Sequence, residues 1–257
     1  MKRRRNGVAF LSCVDDDRKV ERLESSIRAL EPLEGIDVGM FTVRGEASLA
    51  RAYNRLLRDA ADWRYKVYVH QDVVLLNRRL VEDLVRLFRH RTIGLVGVAG
   101  CRFLPPSGVW WNGSGLYGRV VEDRGSGPQL LDFGDPPDEY APAECVDGLF
   151  LATQYDLPWD ERIPGFHFYD VAQSTRFLLD GYEVVVPRQG EAWVRHDMGV
   201  RDQAHLPAYA AAQDTFLALY GRRRDRFVRS RVRRRARRLA TRAIVSWRAL
   251  QPASDNR

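Results

Sequence analysis

Three short segments carry side chains able to do chemistry together. The first is His70-Gln71-Asp72, inside a largely apolar and aromatic run from Tyr65 to Leu76. A carboxylate at the carboxyl end of a strand lies where open α/β sheets bind ligands. It can hold a divalent ion that bridges two phosphates. The plain alternative is a strand that turns polar as it emerges into solvent. The second segment is Gly165-Phe166-His167-Phe168-Tyr169-Asp170, with Arg176 and Gly181 downstream. Asp170 falls at the start of a predicted helix, where a carboxylate caps backbone N–H groups. In a pocket the same group accepts a proton from a hydroxyl. The third is Trp193-Val194-Arg195-His196-Asp197, whose His196 is either structural or a ligand. None of the three decides a function by itself.

The elements that must position them follow from hydrophobic periodicity. Val8 to Val14 reads as a buried strand. A helix follows it, with Asp15 to Asp17 at its capping end and Val20, Leu23, Ile27 and Leu30 on one face. Val38 to Val43 is a second strand, and Ser48 caps a helix carrying Leu49, Tyr53, Leu56 and Ala60. Tyr65 to Leu76 is a third strand, Leu80 to Phe88 a third helix and Ile93 to Ala99 a fourth strand. This alternation predicts a parallel sheet with helices on both faces. Residues 101–143 are rich in Gly, Pro and aromatics, a texture of loops and short strands suited to shaping a pocket. Regular structure resumes with a strand over Cys145 to Thr153, a helix over Val171 to Leu179, a strand over Tyr182 to Pro187 and a helix over Tyr209 to Tyr220.

Composition bounds the partners. The 257 residues, 45% hydrophobic and 29% charged, suit one large folded domain. No run of eighteen apolar residues exists to span a membrane, and Asp15-Asp16-Asp17 follows too soon for a signal peptide, so the expected location is the cytoplasm. Cys13, Cys101 and Cys145 lack zinc-site spacing and read as reduced, buried thiols. The net charge of +7 misleads, because residues 221–242 hold twelve arginines against Asp225 alone. The body, 1–220, is therefore mildly acidic, and 221–257 is a basic appendage. In that tail Val228, Val232, Ala236, Leu239, Ala243, Trp247 and Leu250 recur at helical steps. This basic amphipathic helix suits an anionic membrane surface; packing on the body or binding nucleic acid are the alternatives, nucleic acid the lesser.

The order of the motifs carries a resemblance over roughly residues 8–200. Asn54 precedes His70-Gln71-Asp72; then come Val146-Asp147-Gly148-Leu149-Phe150-Leu151, Leu157-Pro158-Trp159-Asp160-Glu161, Tyr169-Asp170 with Arg176, then Gly181, Pro187 and His196. In this series the chain resembles nucleotide-sugar glycosyltransferases of the GT-A fold in the family-2-like group. Within it the resemblance is to the streptomycin-biosynthesis-type glycosyltransferase-like family. The implied fold is α/β, with a mostly parallel central sheet flanked by helices and the basic helix appended. Two departures stand out: His-Gln-Asp replaces Asp-x-Asp, and Tyr-Asp replaces Glu-Asp, with Ala172 in place of a later acid.

The resemblance implies a metal-dependent transfer of sugar from a nucleotide-sugar donor to an acceptor hydroxyl, lipid-linked or small, with inversion. Asp170 is then the base. Asp72, His70 and His196 hold the metal, and imidazole favours Mn²⁺ over Mg²⁺. Asp15, Asp17, Arg44, Asn54, Gln71, Asp147, Gly148 and Arg176 face the donor, and Trp110 and Trp111 the acceptor. Two other functions bear weighing. A sugar-nucleotide pyrophosphorylase calls for a Gly-rich basic loop after the first strand, where this chain has Asp15-Asp16-Asp17. A non-catalytic scaffold of the same fold, binding membrane or nucleic acid through the tail, is the alternative that the altered acidic motifs keep open.

Overall fold

The first strand, β1 (Arg5–Cys13), carries Val8, Ala9, Phe10 and Leu11 with no exposed surface, as a strand covered on both faces requires. The computed structural model describes residues 5–199 and 206–222. Helix α1 (Asp17–Arg28) starts where Asp16 accepts hydrogen bonds from the backbone N–H groups of Arg18 and Lys19, and it buries Val20, Leu23 and Ile27. Strand β2 (Asp37–Val43) follows, then α2 (Leu49–Asp59), capped by Ser48, then β3 (Trp63–Val69). β1 lies between β2 and β3 and runs parallel to both. To this point the alternation read from the sequence holds.

The remaining elements are β4 (Val73–Leu75), α3 (Leu80–Leu87), β5 (Ile93–Gly97), β6 (Ala99–Phe103), a 3₁₀ turn (Trp110–Asn112), β7 (Ser114–Asp123) and β8 (Pro128–Asp132). After them come β9 (Tyr140–Ala143), β10 (Cys145–Val146), β11 (Phe150–Thr153), α4 (Tyr169–Leu179), β12 (Glu183–Pro187) and β13 (Val194–Asp197). A helix over 206–222, α5, ends the described chain. The main sheet has the order β2-β1-β3-β11-β5-β12-β9. It is mixed: β2, β1, β3, β5 and β12 run one way, while β11 runs antiparallel to both β3 and β5, and β9 antiparallel to β12. A second sheet, β10-β6-β7-β13-β4 with β8 beside β7, gathers short strands, β7 and β8 from the 101–143 region where short strands are expected.

Three strands expected to be continuous are each broken where the chain passes between the sheets. Tyr65–Leu76 divides into β3 and β4 at His70-Gln71-Asp72. Ile93–Ala99 divides at Val98 into β5 and β6. Cys145–Thr153 divides into β10 and β11 at Asp147-Gly148-Leu149. The passages lie together: the His70 N–H donates to the Leu149 carbonyl (3.1 Å), and the Asp147 N–H to the Ala99 carbonyl (2.8 Å). Gly97 makes room for one of them, since a Cβ there would lie 2.4 Å from the Val146 side chain. Side chains turned out of both sheets at this line face one cleft, and the site forms there. Among the described residues no helix is long and apolar enough to cross a membrane. The tail helix expected from 222 onward lies outside the described residues beyond 222.

Candidate active site

β13 pairs antiparallel with β4, setting His196 opposite Val73, and the Asp197 N–H donates to the Asp72 carbonyl at 2.8 Å. This pairing carries His196 across 124 positions of sequence to the turn after β3. Donor atoms of His70, Asp72 and His196 all lie within 4.8 Å of one another. His196 Nε2 is 3.3 Å from Asp72 Oδ1, and Lys19 Nζ is 3.6 Å from Oδ2. Burial works to raise the Asp72 carboxyl, but the His196 hydrogen bond and the charges of His70, His196 and Lys19 hold it well below the usual carboxylate range. Two imidazoles and an ionised carboxylate form a donor set suited to a transition-metal dication.

Nε2 of His70 and the Tyr169 hydroxyl are hydrogen-bonded at 2.5 Å. Tyr169 is buried at the start of α4, and its hydroxyl fills the space beside Gly148: a Cβ on Gly148 would lie 2.1 Å from that oxygen. The glycine is thus required by close approach. In the sequence Tyr169 stands only in the place of an acid beside Asp170, and nothing local discloses its partner His70.

Asp170 follows, in the first turn of α4. Phe168 enters the helix with φ 57, the one non-glycine residue in the left-handed region among those described. That conformation costs about 1–2 kcal/mol, offset by packing: Phe168 is buried against Tyr209 (5.0 Å) and Phe216 (5.8 Å). An Asp170 oxygen accepts the Gly148 N–H at 3.1 Å. Burial first, and the charge of Asp147 second, push the Asp170 carboxyl up to about 7, against the lowering effect of backbone N–H groups. Asp147 itself accepts the Leu149 N–H (2.9 Å) and the Trp110 indole N–H (3.0 Å).

These groups face one cleft of about 1030 Å³, at the upper end for a ligand site. Asp15, His70, Gln71, Asp72, Trp110, Trp111, Asp147, Gly148, Asp170 and His196 line it. Oε1 of Gln71 accepts the N–H groups of Asp15 (2.8 Å) and Asp16 (3.0 Å), and its side-chain Nε2 donates to the Asp15 carboxylate. Four candidates are not among the lining residues. Asp17 and Arg44 pair with each other on the surface. Asn54 is buried and clasps Trp159, donating to its carbonyl (3.0 Å) and accepting its N–H (2.8 Å), so it holds α2 to the segment before α4. Arg176 lies beside the Tyr220 hydroxyl. Conversely, Glu46, Tyr53, Glu122, Arg124 and Tyr209 line the cleft with no signal from the sequence. Tyr53 read as core; its ring is fully buried, yet its hydroxyl has no hydrogen-bond partner among the described residues.

A mixed α/β sheet bearing a His-Asp-His cluster and a raised carboxyl in one cleft defines a ligand-binding enzyme-type site. The chain belongs to the glycosyltransferase-like family, whose model matches residues 9–220. No curated protein matches the sequence. The fold is similar to that of GalNAc-T7 in its crystal structure with UDP, GalNAc and Mn²⁺, at a TM-score of 0.53, 10% identity, and coverage of 80% of this chain and 47% of that one. It is similar also to TarS of S. aureus, at a TM-score of 0.51, 8% identity, and coverage of 74% and 36%. This chain thus spans half or less of the length of either. A looser likeness, at a TM-score of 0.48 and 15% identity, is to the mannosyltransferase PcManGT from Pyrobaculum calidifontis, covering 95% of this chain and 81% of that one. The two likenesses above 0.5 support a GT-A-like fold.

Proposed function

We propose that this chain moves a sugar from a nucleotide-sugar donor to an acceptor hydroxyl, with a divalent metal at His70, Asp72 and His196 and with Asp170 as base. One observation carries the reading: the His-Asp-His cluster and Asp170 face the same cleft, joined by the contact of Tyr169 with His70. The donor set fits a dication on its chemistry, and with imidazole it favours Mn²⁺ over Mg²⁺. UDP and Mn²⁺ accompany GalNAc-T7 in the structure it resembles. When bound, such an ion supplies positive charge beside a departing diphosphate.

The chain's own residues supply the rest. Asp170, ionised above about pH 7, accepts the proton of the acceptor hydroxyl as its oxygen attacks the anomeric carbon. The bond to the diphosphate oxygen breaks and its electron pair leaves with the diphosphate, so attack from the opposite face inverts the anomeric centre. Gln71 holds the turn after β1 against the turn after β3, shaping the donor end. Within the family we propose the streptomycin-biosynthesis type, on the motif order from Asn54 to His196. We further take 1–220 as the catalytic unit of a cytoplasmic enzyme that the basic residues of 221–257 seat on anionic membrane.

Thermal stabilisation by UDP and GDP, with and without Mn²⁺, tests the central reading, because a ligand of the folded state alone raises its transition temperature. Stabilisation is expected to need Mn²⁺ and to vanish in Asp72→Ala. Equal, metal-independent stabilisation of parent and variant would overturn it.

A further inference from the structure

The cleft has two unlike ends. Asp15 follows β1 and Glu46 follows β2, on one side of His70, which follows β3; Asp147 and Gly148 precede β11 on the other side, in the sheet order β2-β1-β3-β11. The first end is lined by carboxylates, Gln71 and the turn after β1. At the second, Asp147 accepts the Trp110 indole N–H, and the cleft mouth also carries exposed apolar side chains. Trp111, Phe166 and Leu206 are each 51% exposed, and all three line the cleft. Tyr209 joins them, its ring 6.3 Å from Trp111 and 5.3 Å from His167. Large apolar groups left in water at the mouth of a cleft mark a binding surface.

This rim is held firmly. Phe216 of α5 is fully buried beneath Gly108, where a Cβ would come within 2.7 Å of its ring. Gln213 donates to the Ser107 carbonyl (2.9 Å), and the Tyr220 hydroxyl donates to Asp160 (2.5 Å). The rim also abuts the proposed base. Tyr209 packs on Phe168, two residues before Asp170, and the Asp170 charge acts on the Tyr209 hydroxyl. Trp110 ties the 3₁₀ turn bearing Trp111 to Asp147.

We propose that the acceptor carries its hydroxyl on a bulky apolar or aromatic body, and that Trp111, Phe166 and Tyr209 hold this body so that the hydroxyl meets Asp170. The proposal rests on the transfer reading above and names its acceptor class. A small, wholly polar acceptor would leave this rim in water and gain nothing from it, whereas an aryl group buried there gains tenfold or more in affinity.

Phenyl β-glucoside and methyl β-glucoside, which share a sugar and differ in the apolar group, are the probes. Calorimetry on the full chain with UDP and Mn²⁺ is expected to show the phenyl compound binding at least tenfold more tightly. Trp111→Ala and Phe166→Ala, both at exposed positions, should each remove most of that preference while melting like the parent. Equal affinity for the two probes, no binding of either, or an undiminished preference in both variants would overturn the proposal. Failure of the transfer reading shows separately, as loss of Mn²⁺-dependent nucleotide stabilisation in the parent protein.

Discussion

The Tyr169 hydroxyl sits 2.5 Å from Nε2 of His70, and the next residue along the chain is Asp170. The first turn of α4 therefore orients a candidate metal ligand and presents the candidate base at once. Partners that orient an imidazole are worth about 10–100-fold in metal affinity. Tyr169→Phe, which keeps the ring and removes only the hydroxyl, should weaken Mn²⁺ binding by about that factor with little change in melting temperature. Unchanged Mn²⁺ affinity by calorimetry would leave the hydroxyl a packing group.

Gly148 admits that hydroxyl. In Gly148→Ala the new Cβ would sit 2.1 Å from it, so α4 must shift. Overpacking of this kind costs about 1–3 kcal/mol, and the expected result is a lower urea midpoint together with loss of both Mn²⁺ binding and transfer. A variant that keeps full transfer would show that the helix start is not what sets the site.

The pH dependence follows from Asp170. Its carboxyl is raised to about 7 and acts as the ionised form, so kcat/KM should climb with pH up to about 7 and then level. Asp147→Asn removes a like charge and should move the inflection to lower pH. Asp170→Asn should lose roughly 10²–10⁴ in transfer while still binding donor. An inflection that stays put in Asp147→Asn would mean Asp147 does not act on the base.

The same group sets a stability prediction of opposite sense. A carboxyl raised from 3.8 in the unfolded chain to about 7 in the fold binds its proton more tightly when folded. The resulting stability is fully present below about pH 4 and is lost as pH rises to about 7. Asp170→Asn should therefore be more stable than the parent at pH 8, by about 2–4 kcal/mol, and comparable to it at pH 4. Urea melts at the two pH values decide this; a variant less stable at pH 8 would mean the carboxylate is well solvated in the fold.

Helix α5 is latched by Tyr220, which donates to Asp160 while Arg162 holds that carboxyl low. Tyr220→Phe keeps the stacking on Phe216 but loses the hydrogen bond, a loss of about 1–2 kcal/mol. Amide exchange should quicken over 206–222 more than over β1. Uniform exchange in parent and variant would show that apolar packing alone seats the helix.

Much was legible in the residues alone, because local patterns are set by local physics. Burial of Val8 to Leu11, the capping positions Asp16 and Ser48, and the apolar stripes of α1 and α2 follow from period and cap chemistry within a dozen residues. The motif order pointed to the glycosyltransferase-like family, and His70, Asp72 and His196 were named from it. What single segments could not disclose is where a strand leaves one sheet for another. Tyr65–Leu76 and Cys145–Thr153 each read as continuous because side-chain alternation does not record a change of hydrogen-bonding partner. Only the tertiary fold decided that these breaks coincide, that β13 returns His196 to Asp72, and that Tyr169 reaches His70. It also took Asn54 and Arg176 out of the cleft wall and put Tyr53 and Tyr209 into it. Those outcomes depend on contacts between residues far apart in sequence, whose free energy exists only once the two sheets have met.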